Sequence, residues 1–404
     1  VITEHPMNAL ERRAVSALAL LYSFRMLGLF MVLPLLALYA TDLEGATPAL
    51  IGLALGIYGL SQALLQIPLG WLSDRVGRKP VIVGGLLLFA LGSLVAGLAD
   101  SVQGVIAGRA LQGAGAIAGT VMALVADLTR DEQRTKAMAI VGASIGLAFT
   151  LALILGPLVA AWGGLSAVFL LTVALALLGI VIVLGLIPGP GAAAAAREEP
   201  VSGSLRRSLG EPELLRLNAG VFVLHFVLTA SFLVIPGLLE SGLGLPRERH
   251  WEAYLAAVLL SLLGVVVLMR RAERGGRPRQ AFATGIGLLL LALGLLAELP
   301  RPLAICAGLW LFFVGFNYLE ATLPSLVSKA VFAGGRGTAM GIYSTCQFLG
   351  AFAGGAVGGL IVQRYGGSVL LLTCLGLVVA WLLLALPRLA SVADAAAGGE
   401  LSRP

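Results

Sequence analysis

Charge is scarce in this chain: Asp, Glu, Lys and Arg make up only 12% of its 404 residues, and there are three histidines. No stretch between its apolar runs is long enough for a soluble nucleotide-binding domain, and no GxxxxGKS/T phosphate loop occurs. ATP-driven pumping within the chain is thereby excluded. The three cysteines, Cys306, Cys346 and Cys374, fall inside apolar runs at spacings that fit neither a metal site nor a disulfide framework, so they read as structural. Alternation of apolar and polar residues is missing as well, which argues against a membrane β-barrel.

Long apolar runs are what the chain has in abundance, and 59% of its residues are hydrophobic. A helix needs about 20 mostly apolar residues to cross the hydrocarbon. Windows of that size lie near 14–40, 48–71, 81–99, 102–127, 137–161, 165–187, 214–239, 251–269, 280–299, 303–328, 337–362 and 368–386. The expectation is an all-α integral membrane protein with twelve transmembrane spans. The first run is too long, and too closely followed by others, for a cleaved signal peptide. Val1 reads as an alternative start codon or a trimmed end.

Most of the 27 Lys and Arg residues fall on one side of these spans. By the positive-inside rule that side is cytoplasmic, with both termini on it. The net charge of +6 is therefore a topology signal and implies no nucleic acid. The least apolar stretch, PGPGAAAAAREEPVSGSLRRSLGEPE, separates spans six and seven and reads as a cytoplasmic linker with a short surface helix. It divides the chain into an N-terminal six-span bundle (1–188), a linker (189–213), a C-terminal bundle (214–387) and a tail (388–404).

The halves echo one another. Asp74-Arg75-Val76-Gly77-Arg78 recurs as Glu273-Arg274-Gly275-Gly276-Arg277, again between the second and third spans of its half. Likewise Arg134, Ala137, Met138 and Ile140 recur as Arg336, Ala339, Met340 and Ile342, at the start of each fifth span. Duplicated halves around a central site are a common architecture for secondary transporters.

Gly70-Trp71-Leu72-Ser73-Asp74-Arg75-Val76-Gly77-Arg78-Lys79 resembles the signature loop between spans two and three of the major facilitator superfamily. Arg109-Ala110-Leu111-Gln112-Gly113-Ala114-Gly115 in span four is similar to its second signature, and Gly156-Pro157 in span five to the core of its antiporter signature. RMLGLFMVLP, NYLEATLPSL and RGTAMGIYSTCQFLG resemble the YajR-like branch of its drug/proton antiporters. The resemblance covers the whole chain and implies two pseudo-symmetric six-helix bundles, the major facilitator fold. Two departures stand out. Ala160 and Ala161 occupy the place of the usual glycine pair, and the sequence ends at Pro404 without the small C-terminal soluble domain usual in that branch.

In the signature loop, Asp74 follows span two, where the negative end of the helix dipole repels a carboxylate. It should seek a partner. The resemblance places that partner at the N-terminus of span eleven, near Gly337 to Gly341, where free N–H groups attract an anion. Such a latch forms only when the cytoplasmic side is closed. Gly70 and Gly77 would permit the close approach and the tight turn, while Arg75, Arg78 and Lys79 would meet Asp127, Asp131 or lipid phosphate.

A charge at the centre of a membrane helix costs at least ~2.5 kcal/mol, so its presence needs a reason. Four ionisable residues sit at that depth: Arg25, Arg109, His225 and Glu320. They fall in spans one, four, seven and ten, the spans that line the central cavity in the family resembled. Asn218, Phe222, His225, Thr229 and Phe232 share one face of span seven, and Phe313, Asn317, Glu320 and Pro324 one face of span ten. Tyr58, Gln62 and Gln66 in span two, Gln112 in span four, and Tyr343 and Gln347 in span eleven extend a mixed aromatic and amide wall. That wall suits an amphipathic organic solute and is poor for a bare metal ion.

Desolvation favours a neutral carboxyl, so Glu320 is the first candidate for a coupling proton and His225 the second. The alternative is a fixed ion pair of Glu320 with Arg25 or Arg109. The two arginines make the cavity more positive, which suits anionic or zwitterionic solutes over cationic drugs. The leading expectation is a proton-coupled exporter of a small organic solute, working by alternating access in a bacterial inner membrane. It would be monomeric, with the proton gradient as energy source and no cofactor. Its partners would be the solute, protons and the lipid bilayer. The competing expectations are a uniporter or importer of an organic anion, and a receptor or scaffold that has lost transport.

Overall fold

The computed structural model describes residues 6–187, 204–273, 278–298, 301–331 and 335–398. Among them there are no strands, and eleven helices are long and apolar enough to cross a membrane. Helices suit these residues because hydrocarbon offers no hydrogen-bond partner, so each segment must satisfy its own backbone.

The chain runs through α1 (Ala9–Tyr39), α2 (Pro48–Val76), α3 (Arg78–Gly97), α4 (Val102–Ala114), α5 (Ala118–Asp127) and α6 (Asp131–Gly185). Beyond the linker come α7 (Ser204–Gly210), α8 (Pro212–Ser231), α9 (Ile235–Leu243), α10 (His250–Glu273), α11 (Pro278–Glu298), α12 (Pro302–Ala330), α13 (Arg336–Tyr365) and α14 (Gly367–Gly398). The 55-residue α6 contains two non-helical residues, Gly163 and Gly164, the latter at φ +66°. That bend divides it into spans five and six, which brings the crossings to twelve.

Polar groups mark the helix starts. Asn8 and Glu11 form a reciprocal capping box on α1, and the side chains of Thr47 and Ser101 cap α2 and α4. Span four is broken between α4 and α5 and span seven between α8 and α9, where single continuous helices were expected. In span seven the cause is Pro236, which has no N–H for the carbonyl of Phe232. The signature loop is also more helical than expected. α2 runs on to Val76, and Gly77 alone, at φ +100°, makes the turn into α3; a side chain there would be strained.

Spans one to six pack mainly on one another, and spans seven to twelve do the same around an apolar core that Phe149 and Leu153 of α6 join. Large apolar side chains such as Val181, Leu184, Leu263 and Leu383 stay on the outer surface, where lipid replaces water. The linker expected at 189–213 is described only from Ser204, and the second half's echo of the signature loop, Arg274 to Arg277, lies outside the described residues. So does the end of the expected tail, beyond the last turn of α14.

The halves meet most closely through α2 and α13, at the end opposite the cation-rich loops. There the helices touch backbone to backbone. A Cβ on Gly56 would sit 2.5 Å from the carbonyl oxygen of Phe352, one on Gly59 2.5 Å from that of Phe348, and one on Gly359 2.5 Å from that of Pro48. Small residues four apart allow such contact between membrane helices. At the same end Arg247 reaches Asp42 (3.8 Å), Glu240 (3.2 Å) and the carbonyl oxygen of Leu38 (3.4 Å).

The cytoplasmic halves of the same helices stand apart. A Cβ added at Gly70, Gly337 or Gly341 would meet nothing within 4 Å, nor would one at Gly142 or Gly146 of α6. The molecule is closed at the external end and open toward the cytoplasmic end.

Candidate functional site

The C-terminal half brings Glu320, His225 and Gln347 together. Gln347 Nε2 donates to Glu320 Oε1 at 3.2 Å and lies 2.8 Å from His225 Nε2. On the other side of the ring, His225 Nδ1 lies 3.1 Å from the carbonyl oxygen of Val221. One tautomer satisfies both contacts: a neutral imidazole with the hydrogen on Nδ1 and Nε2 as acceptor. Among the described residues Glu320 Oε2 has no hydrogen-bond partner, and it lies 3.6 Å from His225 Nε2. The Glu320 side chain is 35% exposed against 11% for His225, although its Oε2 atom is buried.

An aromatic layer closes the space on the external side of this cluster. Phe30 of α1 meets Phe149 of α6 edge to face at 5.1 Å, and Phe149 meets Phe313 and Phe316 of α12 at 6.2 and 6.5 Å. Phe316 also abuts the His225 ring at 5.9 Å. Because α12 runs from the external to the cytoplasmic end, Phe313 and Phe316 lie external to Glu320. They form a floor across both halves, and Glu320 stands on its cytoplasmic side.

The N-terminal half holds a second polar cluster, centred on Tyr58. Arg25 Nη2 donates to Tyr58 Oη (2.8 Å), Gln62 Oε1 (2.8 Å) and the carbonyl oxygen of Gly115 (3.2 Å). The break between α4 and α5 leaves that carbonyl without its helical partner, and it also accepts from the Ile117 N–H at 2.9 Å. Arg109 lies over the Tyr58 ring, 4.9 Å from its centroid, and donates to Gln112 Oε1 (2.8 Å) and the carbonyl oxygen of Ala54 (3.2 Å). Gln112 in turn donates to Ser93 Oγ (2.7 Å). Tyr58 faces Phe348 across the boundary between halves at 6.4 Å.

The structure revises several expectations. Glu320 pairs with neither Arg25 nor Arg109; its neighbours are His225 and Gln347. Arg25, Gln62, Gln66, Arg109 and Gln112 are buried within the N-terminal half rather than lining the opening. Thr229, Phe232, Phe313 and Tyr343 are buried too, and Asn317 donates to Ser261 of α10. The physical reason is that helical periodicity identifies a shared face without saying whether that face meets its own half or the opening. For Phe232 the register itself fails, because α8 ends at Ser231. Phe222 is half-buried, its backbone pressed against Gly350 of α13.

Asp74 lies by its own loop partner, Arg78, at 2.6 Å and is half exposed. It makes no contact with Gly337 or Gly341 in this open state. Arg78 also pairs with Asp127 (3.2 Å), Arg75 stacks on Trp71 (3.7 Å), and Lys79 donates to the carbonyl oxygen of Ile187. The side chain of Asp131 lies outside the described residues. Gly156, beside Pro157, sits where a Cβ would come within 3.1 Å of the carbonyl oxygen of Met31, so it sets how closely span five approaches span one.

The aromatic floor and the α2–α13 contact are missing from the sequence reading. The second had a signal: Gly52 and Gly56, and Gly355 and Gly359, are pairs of glycines four apart.

A family model described as Major Facilitator Superfamily matches residues 18–355. The chain belongs to that superfamily. It is 46% identical over 386 residues, covering 95% of this chain and 85% of the relative, to the inner membrane transport protein YajR of Escherichia coli (strain K12). It is 26% identical over 348 residues to the multidrug resistance protein MdtH of Aeromonas salmonicida (strain A449), covering 85% of each. Among solved structures it is similar to the human organic anion transporter MFSD10 (TETRAN), with TM-score 0.68 and 22% identity over 94% of this chain and 100% of that one. The protein is thus a multi-pass membrane transporter of the major facilitator fold and not an enzyme.

Proposed function

We propose that this transporter couples proton movement to the export of a small amphipathic organic solute, alternating access between its two halves. The carrying observation is the Glu320–Gln347–His225 cluster, placed on the open side of an aromatic floor that spans both halves. A proton can settle on Glu320 Oε2, which has no other partner among the described residues, or on His225 Nε2, where it displaces the Gln347 amide and points at Oε2. The environment of both groups changes with access, since closing the cytoplasmic side would bury the exposed face of Glu320. Asp74 would then leave Arg78 for the N-terminus of α13 near Gly337 and Gly341, latching that side shut.

The driving force is adequate for one proton per cycle. A charge crossing about 150 mV gains roughly 3.5 kcal/mol at ~2.3 kcal/mol per 100 mV, and a hundredfold solute gradient costs about 2.8 at ~1.4 per decade. The names of the Escherichia coli and Aeromonas relatives support an inner-membrane location and an efflux role. The test uses purified protein in vesicles with an internal pH dye and imposed gradients of candidate amphipathic solutes. Proton flux opposite to solute, abolished by Glu320→Gln, is the expected result. Solute flux that ignores the pH gradient, or that keeps its coupling in Glu320→Gln, overturns the reading.

A further inference from the structure

Arg25 is wholly buried, yet only one of its three guanidinium nitrogens is used. Among the described residues, Nε and Nη1 have no hydrogen-bond partner, and neither does Gln62 Nε2. That amide nitrogen shares a side chain with the Oε1 atom that Arg25 holds, so its free donors lie beside the guanidinium. Arg109, also buried, stands over the ring of the same Tyr58. Among the described residues, the groups touching the two guanidiniums are carbonyls, amides, a hydroxyl and aromatic rings, with no carboxylate.

Arginine does not escape by losing its proton. The carbonyl end of α4 and the Phe89 ring offset part of the charge, but buried donors left unmade beside two uncompensated cations are costly. We infer that Arg25 and Gln62 bind one monovalent anionic group, supplied either by chloride or by the carboxylate of the transported solute. Tyr58 joins this site to the proton site, because its ring meets Phe348, the neighbour of Gln347. Arg25 is sealed within the N-terminal half in this state, so a solute carboxylate would reach it only as the halves rearrange. The solute would then extend past that contact toward Glu320, where a donor or cationic end competes with the proton. The solute arm rests on the proposed transport reading; the anion site itself does not.

The experiment reads thermal unfolding of the purified protein in a buffer whose only other anion is a large sulfonate at constant ionic strength. Chloride and benzoate are titrated separately, with benzyl alcohol as the neutral counterpart of benzoate. At least one anion should raise Tm with concentration while benzyl alcohol does not. Chloride activity assigns the site to a free ion, and benzoate activity without chloride activity assigns it to a solute carboxylate. Arg25→Gln should weaken the response at least tenfold. Gln62→Glu guards against a folding defect: its carboxylate beside the guanidinium should raise Tm without added anion and remove the response. No response to either anion, an equal response to benzyl alcohol, or a full response in Gln62→Glu overturns the proposal. Binding is read without a pH gradient, so a silent titration leaves the Glu320 coupling test standing, and failed coupling leaves this one standing.

Discussion

Replacing Gly355 by alanine should shift the molecule away from the conformation described. A methyl at that position would sit 2.5 Å from the carbonyl oxygen of Gly52 and 2.7 Å from the backbone nitrogen of Gly56. Non-bonded heavy atoms settle near ~3.5 Å, so α2 and α13 would have to part by about 1 Å. Overpacking of this kind costs about 1–3 kcal/mol, which at ~1.4 kcal/mol per decade is roughly a 5- to 150-fold change in the balance between states. Alanine's greater helix propensity acts in both states and cancels from that ratio. Spin labels at Thr41→Cys and Glu248→Cys, both exposed near the external end, would report the gap once Cys306, Cys346 and Cys374 are replaced. The distance distribution should gain a longer component in Gly355→Ala and stay unchanged in Gly287→Ala, where a methyl meets open space. An unaltered distribution and unaltered transport in Gly355→Ala would refute the claim that this backbone contact holds the external side shut.

Two further outcomes follow from the loops. Asp74→Asn should change thermal stability by less than ~1 kcal/mol, because its pair with Arg78 is half exposed. It should nonetheless slow turnover in the vesicle assay by weakening the closed-inside state; normal turnover would leave the loop with topology alone. Glu11→Gln should be the more destabilising change, by about 1–3 kcal/mol, since the nearly buried Glu11 carboxylate accepts from Arg130 Nε (2.9 Å), Arg130 Nη2 (3.0 Å) and the Asn8 N–H (2.8 Å). A Tm equal to that of the parent protein would show that this clasp contributes nothing.

The twelve crossings were legible because hydrocarbon thickness imposes one length on every apolar run. Glu320 and His225 were legible because ionisable groups at that depth are few. The pairing of Glu320 was not, since several buried cations were compatible with its sequence position and only packing brings Gln347 between carboxyl and imidazole. The breaks at Gly115 to Ile117 and before Pro236 left marks in the sequence, but apolar windows average over them. Arg25 shows the limit of reading a cavity from periodicity: its helix face was identifiable, and that face turned out to meet α2 and the end of α4.

α13 is one continuous rod that carries the Gly355 contact, Gln347 and the open Gly337 end at different heights. Gln347 lies about 15 Å along it from Gly337 and about 12 Å from Gly355, at ~1.5 Å per residue. A pivot at Gln347 would make α13 a lever. A tilt that lifts Gly355 1 Å off Gly52 swings Gly337 by about 1.2 Å the opposite way, from the same ~1.5 Å rise. A hydrogen-bond change of an ångström at Gln347 is therefore of the same size as the displacement needed to unseat one end of the helix and advance the other.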